Sequence, residues 1–179
     1  KIGKKIYILD GRFDRYASKE LDELSFGEQS RFLANEWDKN STYFLSSLVG
    51  GYSGVCVDLG QRFLTLIRDR FCLRTLYYYF DENVFLFSSE IKAILQYKKF
   101  HLNKNIFCRY LSMNYRMWFG REETFFEDIY ELPGASYLNL IEEVISIERY
   151  WSPPNQVQSS TIEDDYYISS YTEKLSKSL

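Results

Sequence analysis

Apolar and polar positions along this chain change period several times, and each change marks an element. Residues 5–10 (KIYILD) form a strand-like apolar run that ends in Asp10-Gly11, a turn signal. Residues 18–24 predict a short helix. Residues 27–37 (GEQSRFLANEW) set Leu33 and Trp37 four apart with Phe32 beside them, the spacing of an amphipathic helix. An apolar turn over 42–48 is closed by Gly50-Gly51. Residues 53–59, 63–68, 75–80 and 84–88 then read as four successive strands, with Asp81-Glu82-Asn83 as the hairpin turn between the last two. Ser89 is placed to cap a helix over 90–96, and Glu90 lies in its first turn, where the helix dipole favours negative charge.

Further on, residues 105–113 (NIFCRYLSM) predict another helix, and 135–140 with 144–149 a hairpin around Ile141-Glu142-Glu143. Residues 152–160 (SPPNQVQSS) hold two of the three prolines and are otherwise polar, the composition of a linker. Residues 161–179 predict a polar helix with Thr161 as cap and Glu163-Asp164-Asp165 in its first turn. Its apolar positions are few, so it is expected to belong to a neighbouring domain. Hairpins flanked by helices, without regular strand–helix alternation, imply an α+β fold of mostly antiparallel sheets. Phe71, Leu76, Tyr78, Phe85 and Phe87 are expected in the sheet interior or at its immediate edges, with Ile91 and Leu95 packing from the following helix. Phe13, just after the Asp-Gly signal, is expected to tolerate truncation.

Composition narrows the function classes. The chain has 179 residues, enough for one domain with a real core. Aromatics reach 18%, with 16 Tyr and 14 Phe, which points to sheet faces and interfaces where a tyrosine ring is buried and its hydroxyl stays wet. A net charge of -3 and dispersed basic residues argue against a nucleic-acid surface. Cys56, Cys72 and Cys108 are an odd number without CxxC spacing, which fits a reducing cytosol and three small core hydrophobes. A single histidine, His101, excludes a histidine-based zinc site or a Ser-His-Asp triad and reads as a surface-loop residue. No apolar run approaches the roughly 18–20 residues of a membrane span. The first residues lack a signal-peptide core and an initiator Met, as a piece of a longer cytoplasmic product would.

Residues 64–95, LTLIRDRFCLRTLYYYFDENVFLFSSEIKAIL, closely resemble the "RDRxGxxPLYY … FASEIKAL" block of the asparagine synthetase family. Other blocks follow in order. IYILDGRFDRYASKELDEL is similar to "NGEIYNxxELxxxL", and GEQSRFLANEW stands in the place of "SDTExLLxxYExxG". SLVGGYSGVCVDLGQRFLTLIRDRF resembles "LxGxFAFALWDxxxxxLxLARDRF", TFFEDIYELPGASYL resembles "TxFxxIxxLxPGxxL", and Arg149-Tyr150-Trp151 matches "RYW". The resemblance implies an amino-terminal class II glutamine amidotransferase domain, an Ntn-type αββα sandwich, over residues 1–151. It further implies a linker over 152–160 and, over 161–179, the first helix of an ATP-dependent synthetase domain. The "SGGxDS" loop of that domain is not in this sequence, so ATP and Mg belong to the implied downstream part and this chain itself carries no cofactor.

The chemistry the resemblance implies is incomplete here. The family's nucleophile is an N-terminal Cys followed by Gly, and its "HRGPD" segment comes later; neither precedes Lys5, and the internal cysteines cannot replace an N-terminal thiol whose own amine serves as base. The oxyanion and glutamine positions of "NGE" fall on Asp10 and Gly11, with Arg12 where the family has Glu. Asp10 puts an acceptor where a donor is needed; loss of one such donor costs about 3–4 kcal/mol of transition-state stabilisation. The bland reading of Asp10-Gly11 is a turn after a strand. The "SDTE" aspartate that anchors the glutamine amine falls on Phe26, and Glu28 is retained as a first-turn acid. Asp69 and Arg70 match the family and read as a charge pair fixing a strand connection. Cys72 stands where the family has Gly.

Three functions remain. The first is part of an asparagine synthetase-like amidoligase whose glutaminase site is lost, its partners a synthetase domain or sister chain and a small-molecule or peptide carboxylate substrate. The second is a relative of the β-lactam synthetases or lasso-peptide cyclases that uses an amine other than ammonia. The third is a non-catalytic binding module whose open sheet surface recruits a partner.

Overall fold

The computed structural model describes residues 4–113, 122–153 and 164–178. Among the described residues nine strands form two antiparallel sheets. The larger is built from β1 (Lys5–Tyr16), β2 (Lys19–Glu20), β3 (Leu48–Asp58), β4 (Phe63–Arg68), β8 (Ser136–Ile141) and β9 (Val144–Arg149), in the order β2-β1-β3-β4-β8-β9. The smaller is β6-β5-β7, from β5 (Tyr77–Phe80), β6 (Phe85–Ser88) and β7 (Ile129–Glu131). The helices are α1 (Phe26–Asn40), α2 (Ile91–Ile94), α3 (Lys104–Met113) and α4 (Asp164–Ser178), and a 3-10 helix spans Ser41–Ser47.

Three apolar clusters define the layers, because side chains alternate across a strand. Phe13, Tyr52, Cys56 and Ile67 of the large sheet pack with Leu33 and Trp37 of α1 and with Phe44 and Leu45 of the 3-10 helix. The opposite face sends Val55, Leu66 and Leu138 against Tyr78 of the small sheet and its flanking Leu76 and Leu132. Tyr77, Tyr79 and Ile129 then face away from the large sheet, toward Ile94 with Ile91, Leu95 and Phe100. The order is helix, sheet, sheet, helix: the αββα sandwich.

The predicted strands over 63–68, 75–80 and 84–88 are present, and Asp81 closes the β5–β6 turn by accepting from the N–H groups of Asn83 and Val84 (2.9 and 3.0 Å). The β8–β9 hairpin turns on Glu142 and Glu143, both at positive φ (47° and 68°), the backbone of a two-residue type I′ turn. Leu33 and Trp37 are buried as their spacing requires. Ile91 and Leu95 pack on the small sheet from α2 and its end.

Other expectations are corrected. Asp10-Gly11 is not a turn: β1 continues through it to Tyr16, pairing Asp10 with Ser53 and Gly11 with Tyr52. The helix expected over 18–24 is instead the short strand β2 in a hairpin with Arg15 and Tyr16, followed by a turn in which Leu24 N–H bonds to the Leu21 carbonyl. The Gly50-Gly51 pair lies inside β3. The α2 helix is only one turn, and the serine at its start is Ser88, whose hydroxyl accepts from Glu90 N–H (3.1 Å), not Ser89. Phe71 is 69% exposed, whereas Phe13 is fully buried in the first cluster. Strand β7 went unread because Ile-Tyr-Glu is too short to show a period. Thr161 and most of the linker predicted over 152–160 lie outside the described residues. The α4 helix exposes Ile168 and Tyr171, as its sparse apolar pattern implies.

Candidate functional site

Strand β1 carries both candidate site residues at its middle. Gly11 has φ +127°, and a Cβ placed on it would lie 2.2 Å from the Gly51 carbonyl oxygen and 2.7 Å from Tyr52 Cα. Both neighbours are backbone, so no side chain fits and glycine is required by close approach of β3. The turn-like Asp-Gly signal in the sequence therefore reports a backbone contact inside a sheet.

Asp10 projects to the opposite side from Leu9 and Phe13, exposed, on the face that elsewhere in this sheet covers the small sheet. Among the described residues the small sheet has three strands, none of them paired with β1, and Ile8 beside Asp10 is 57% exposed. Arg12 is exposed on the same face, and its Nε lies 2.8 Å from Asp14 Oδ1. Thus the Asp10 carboxylate and the Arg12 guanidinium are both present at the surface, and Arg12 pairs with Asp14, two residues on.

Phe26 and Glu28 sit on another wall. Phe26 opens α1, is 57% exposed, and lines an open groove of about 580 Å³ between α1 and β1 with Tyr7, Ile8, Leu9, Ser30, Arg31, Ala34 and Asn35. Asp10 is not among those lining residues. Glu28 closes a capping box: its carboxylate accepts from the Ser25 hydroxyl (2.6 Å) and the Ser25 N–H (3.0 Å), and the hydroxyl bond chiefly holds its pKa below the ordinary carboxylate value. The structure therefore separates the predicted site residues into Asp10, Gly11 and Arg12 on the strand and Phe26 and Glu28 at the helix start. The groove offers a ligand amine no acidic side chain at Phe26.

The "RDR" segment does different work from the charge pair expected of it. Asp69 is fully buried and does not pair with Arg70. Its Oδ1 accepts from Phe71 N–H (2.9 Å) and Leu73 N–H (3.1 Å), and its Oδ2 from Arg74 N–H (3.0 Å). Its own N–H bonds to the Tyr52 carbonyl and its carbonyl accepts from Ala135 N–H. Arg70 instead reaches the Ser46 carbonyl (2.8 Å) and lies over the Trp151 ring. The charge pair is one residue earlier, Arg68 with Glu131 at 2.8 Å, where buried Arg68 also donates to the carbonyls of Arg74 and Leu132. Sequence reasoning passed over Arg68; the signal available was a charged residue ending an otherwise apolar strand, FLTLIR.

Tyr150 ties the chain's exit from the domain to this knot. Its hydroxyl donates to the Arg68 carbonyl (2.8 Å) and lies 3.0 Å from the Tyr52 hydroxyl. Burial, above all, pushes Tyr150 up to about 12 and Tyr52 well above the ordinary phenol value. Of the cysteines, Cys56 is buried and its thiol is pushed up by burial, while Cys72 and Cys108 are exposed, not core residues as expected. Cys72 has φ +59°, which explains why glycine suits that position. Among the described residues no three His, Cys, Asp or Glu side chains gather as a metal site would need. No helix there is long and apolar enough to cross a membrane.

Residues 28–151 match the glutamine amidotransferase domain family. The chain belongs to that family. The match ends at Trp151 and begins at Glu28, so Asp10 and Gly11 lie outside it. The chain is also similar to the amidase chry2 of Gibberella zeae, 29% identical over 128 residues, covering 70% of this chain and 18% of that protein. Among solved structures it is similar to a glutamine phosphoribosylpyrophosphate amidotransferase from B. subtilis complexed with ADP and GMP. That likeness has a TM-score of 0.44 and 15% identity, over 71% of this chain and 23% of the other. The chain thus spans about a fifth of the length of these relatives.

Proposed function

We propose that this glutamine amidotransferase domain does not hydrolyse glutamine and serves a larger asparagine synthetase-like amidoligase. The observation that carries the reading is the state of the Asp10-Gly11 position. The glycine is fixed by the close approach of β3, while the side chain beside it is a surface carboxylate, which accepts hydrogen bonds and cannot donate them. As an oxyanion develops during amide attack, Gly11 can offer one N–H. An ionised Asp10 offers no hydrogen and repels the charge, so the barrier rises where it should fall. Phe26 compounds this at substrate binding, since its ring cannot neutralise the ammonium of glutamine. Asp69 is taken up by three main-chain N–H groups and Arg68 by two carbonyls and Glu131, so neither supplies anything to a substrate.

The activity then lies in the parent protein. It would activate a small-molecule or peptide carboxylate with ATP and Mg in a synthetase part, and join it to ammonia or to another amine. An amine supplied by the substrate, as in β-lactam synthetases and lasso-peptide cyclases, suits a domain that releases no ammonia. The test is amide formation by the full-length protein with ATP, comparing glutamine with ammonium as nitrogen source. Product with ammonium or an amine substrate, and none with glutamine alone, is expected; glutamine-driven product overturns the reading.

A further inference from the structure

Residues 70–74 follow β4 and belong to neither sheet. Their main chain hangs on one carboxylate, Asp69, which accepts from the N–H groups of Phe71, Leu73 and Arg74. Their side chains oppose the closed arrangement. Phe71 and Leu73 are 69% and 67% exposed, and Cys72 takes a left-handed backbone (φ +59°) that a non-glycine residue adopts with strain. Arg70 Nε is buried with no hydrogen-bond partner among the described residues. What closes over this segment is Trp151, the last residue of the family match. The Arg70 guanidinium lies 5.1 Å from the centre of its ring, and the Phe71 ring meets it edge-on at 5.7 Å and 68°. A cation over an indole face stabilises by about as much as a buried unpartnered N–H destabilises. The closed segment therefore rests on a near balance in which the indole decides.

We infer that Trp151 is a latch on the 70–74 segment, closed in this structure and released when the chain beyond it is drawn away. Tyr150 is the fixed side of the latch. Its N–H bonds to the Ala135 carbonyl (2.8 Å) and its hydroxyl donates to the Arg68 carbonyl (2.8 Å), so the chain stays docked when the indole leaves. On the far side Pro153 fixes its own φ and restricts Ser152 before it, and both are exposed. A displacement there is passed to Trp151 rather than taken up as slack. With the indole swung out, Arg70 Nε gains water, Phe71 loses its ring contact, and Asp69 becomes the hinge on which the segment opens. The chain after Trp151 is thereby coupled through one side chain to the end of β4. The coupling holds whether or not the domain hydrolyses glutamine.

Amide hydrogen exchange of the 179-residue chain, read by mass spectrometry on the peptide holding residues 70–75, tests the latch. The N–H groups of Phe71, Leu73 and Arg74 exchange when the Asp69 cap opens. Trp151→Ala should raise their exchange rate by about tenfold or more, and Trp151→Phe, which keeps an aromatic face beneath the guanidinium, should stay within about threefold of the parent. Cys56, buried in the first cluster, reports global unfolding in the same samples, and its alkylation by a maleimide should stay as slow as the parent's in both variants. Unchanged exchange over 70–75 in Trp151→Ala overturns the proposal. Faster exchange accompanied by faster Cys56 alkylation also overturns it, because Trp151 would then hold the whole domain rather than one segment. Equal opening in Trp151→Ala and Trp151→Phe counts against it in the same way.

Discussion

The junction between β4 and β5 and the middle of β1 are built in opposite ways. At the junction the charges of Arg68 and Asp69 are buried and answered. Asp69 takes three N–H groups, Arg68 reaches two carbonyls and Glu131, and Tyr150 closes the knot over Tyr52. In the middle of β1 the charges of Asp10 and Arg12 stand at the surface, and only the glycine between them is sterically fixed. The buried charges of the junction thus hold the backbone, while the exposed charges of β1 do not. A fold keeps what its buried polar groups demand, since an unanswered buried charge costs several kcal/mol, while an exposed site carries no such constraint.

Substitutions at the two regions should separate sharply. Asp69→Ala removes a fully buried carboxylate that three main-chain N–H groups share and should cost about 3–5 kcal/mol, leaving little folded protein. Loss of the cooperative thermal transition checks it, and a melt like the parent's would break the contrast. Phe13→Ala should cost about as much, 3–5 kcal/mol, and more than Phe87→Ala, because Phe13 is fully buried and Phe87 only partly. Urea unfolding of the two variants gives the order.

The junction should also reveal itself in alkali. Tyr150 titrates near 10 when unfolded and at about 12 when folded, so between those values the native state holds a proton that the unfolded state has released. Stability is complete below about pH 10 and falls as pH rises through about 12. The loss amounts to about 2–3 kcal/mol from this group. Tyr150→Phe should start less stable and show a shallower fall, by urea midpoints measured from pH 9 to 12. Gly11→Ala meets backbone at 2.2 Å and should cost about 1–3 kcal/mol. Smallest of all, Asp10→Asn at the surface should shift the melt by no more than about 0.5 kcal/mol.

Much of the sandwich was legible in the sequence, and the failures have physical causes. Strand β4 and the β5–β6 hairpin read well because they are short apolar runs set between turn signals that act as turns, Asp81 above all. The first twenty-five residues read badly because the Asp-Gly pair mimics a turn while answering to the Gly51 carbonyl across the sheet, a contact no local pattern shows. That one misreading ended β1 six residues early and placed Phe13 outside the core. Asp69 and Arg70 were adjacent opposite charges, and adjacency suggested a pair; the fold points the two side chains at different backbones. For the candidate site, sequence singled out Asp10, Gly11 and Phe26 by resemblance alone, and no local pattern showed that Phe26 lines a groove that Asp10 does not share.

Glutamine hydrolysis tests the separation of fold from chemistry most directly. Glutamate release should be followed at neutral pH with the 179-residue chain and with the full-length parent, each beside a heat-killed control. No release above the control is expected from either, with the chain folded by circular dichroism. Release above the control from folded protein, abolished by Asp10→Ala, would show that the altered strand still performs the family's chemistry.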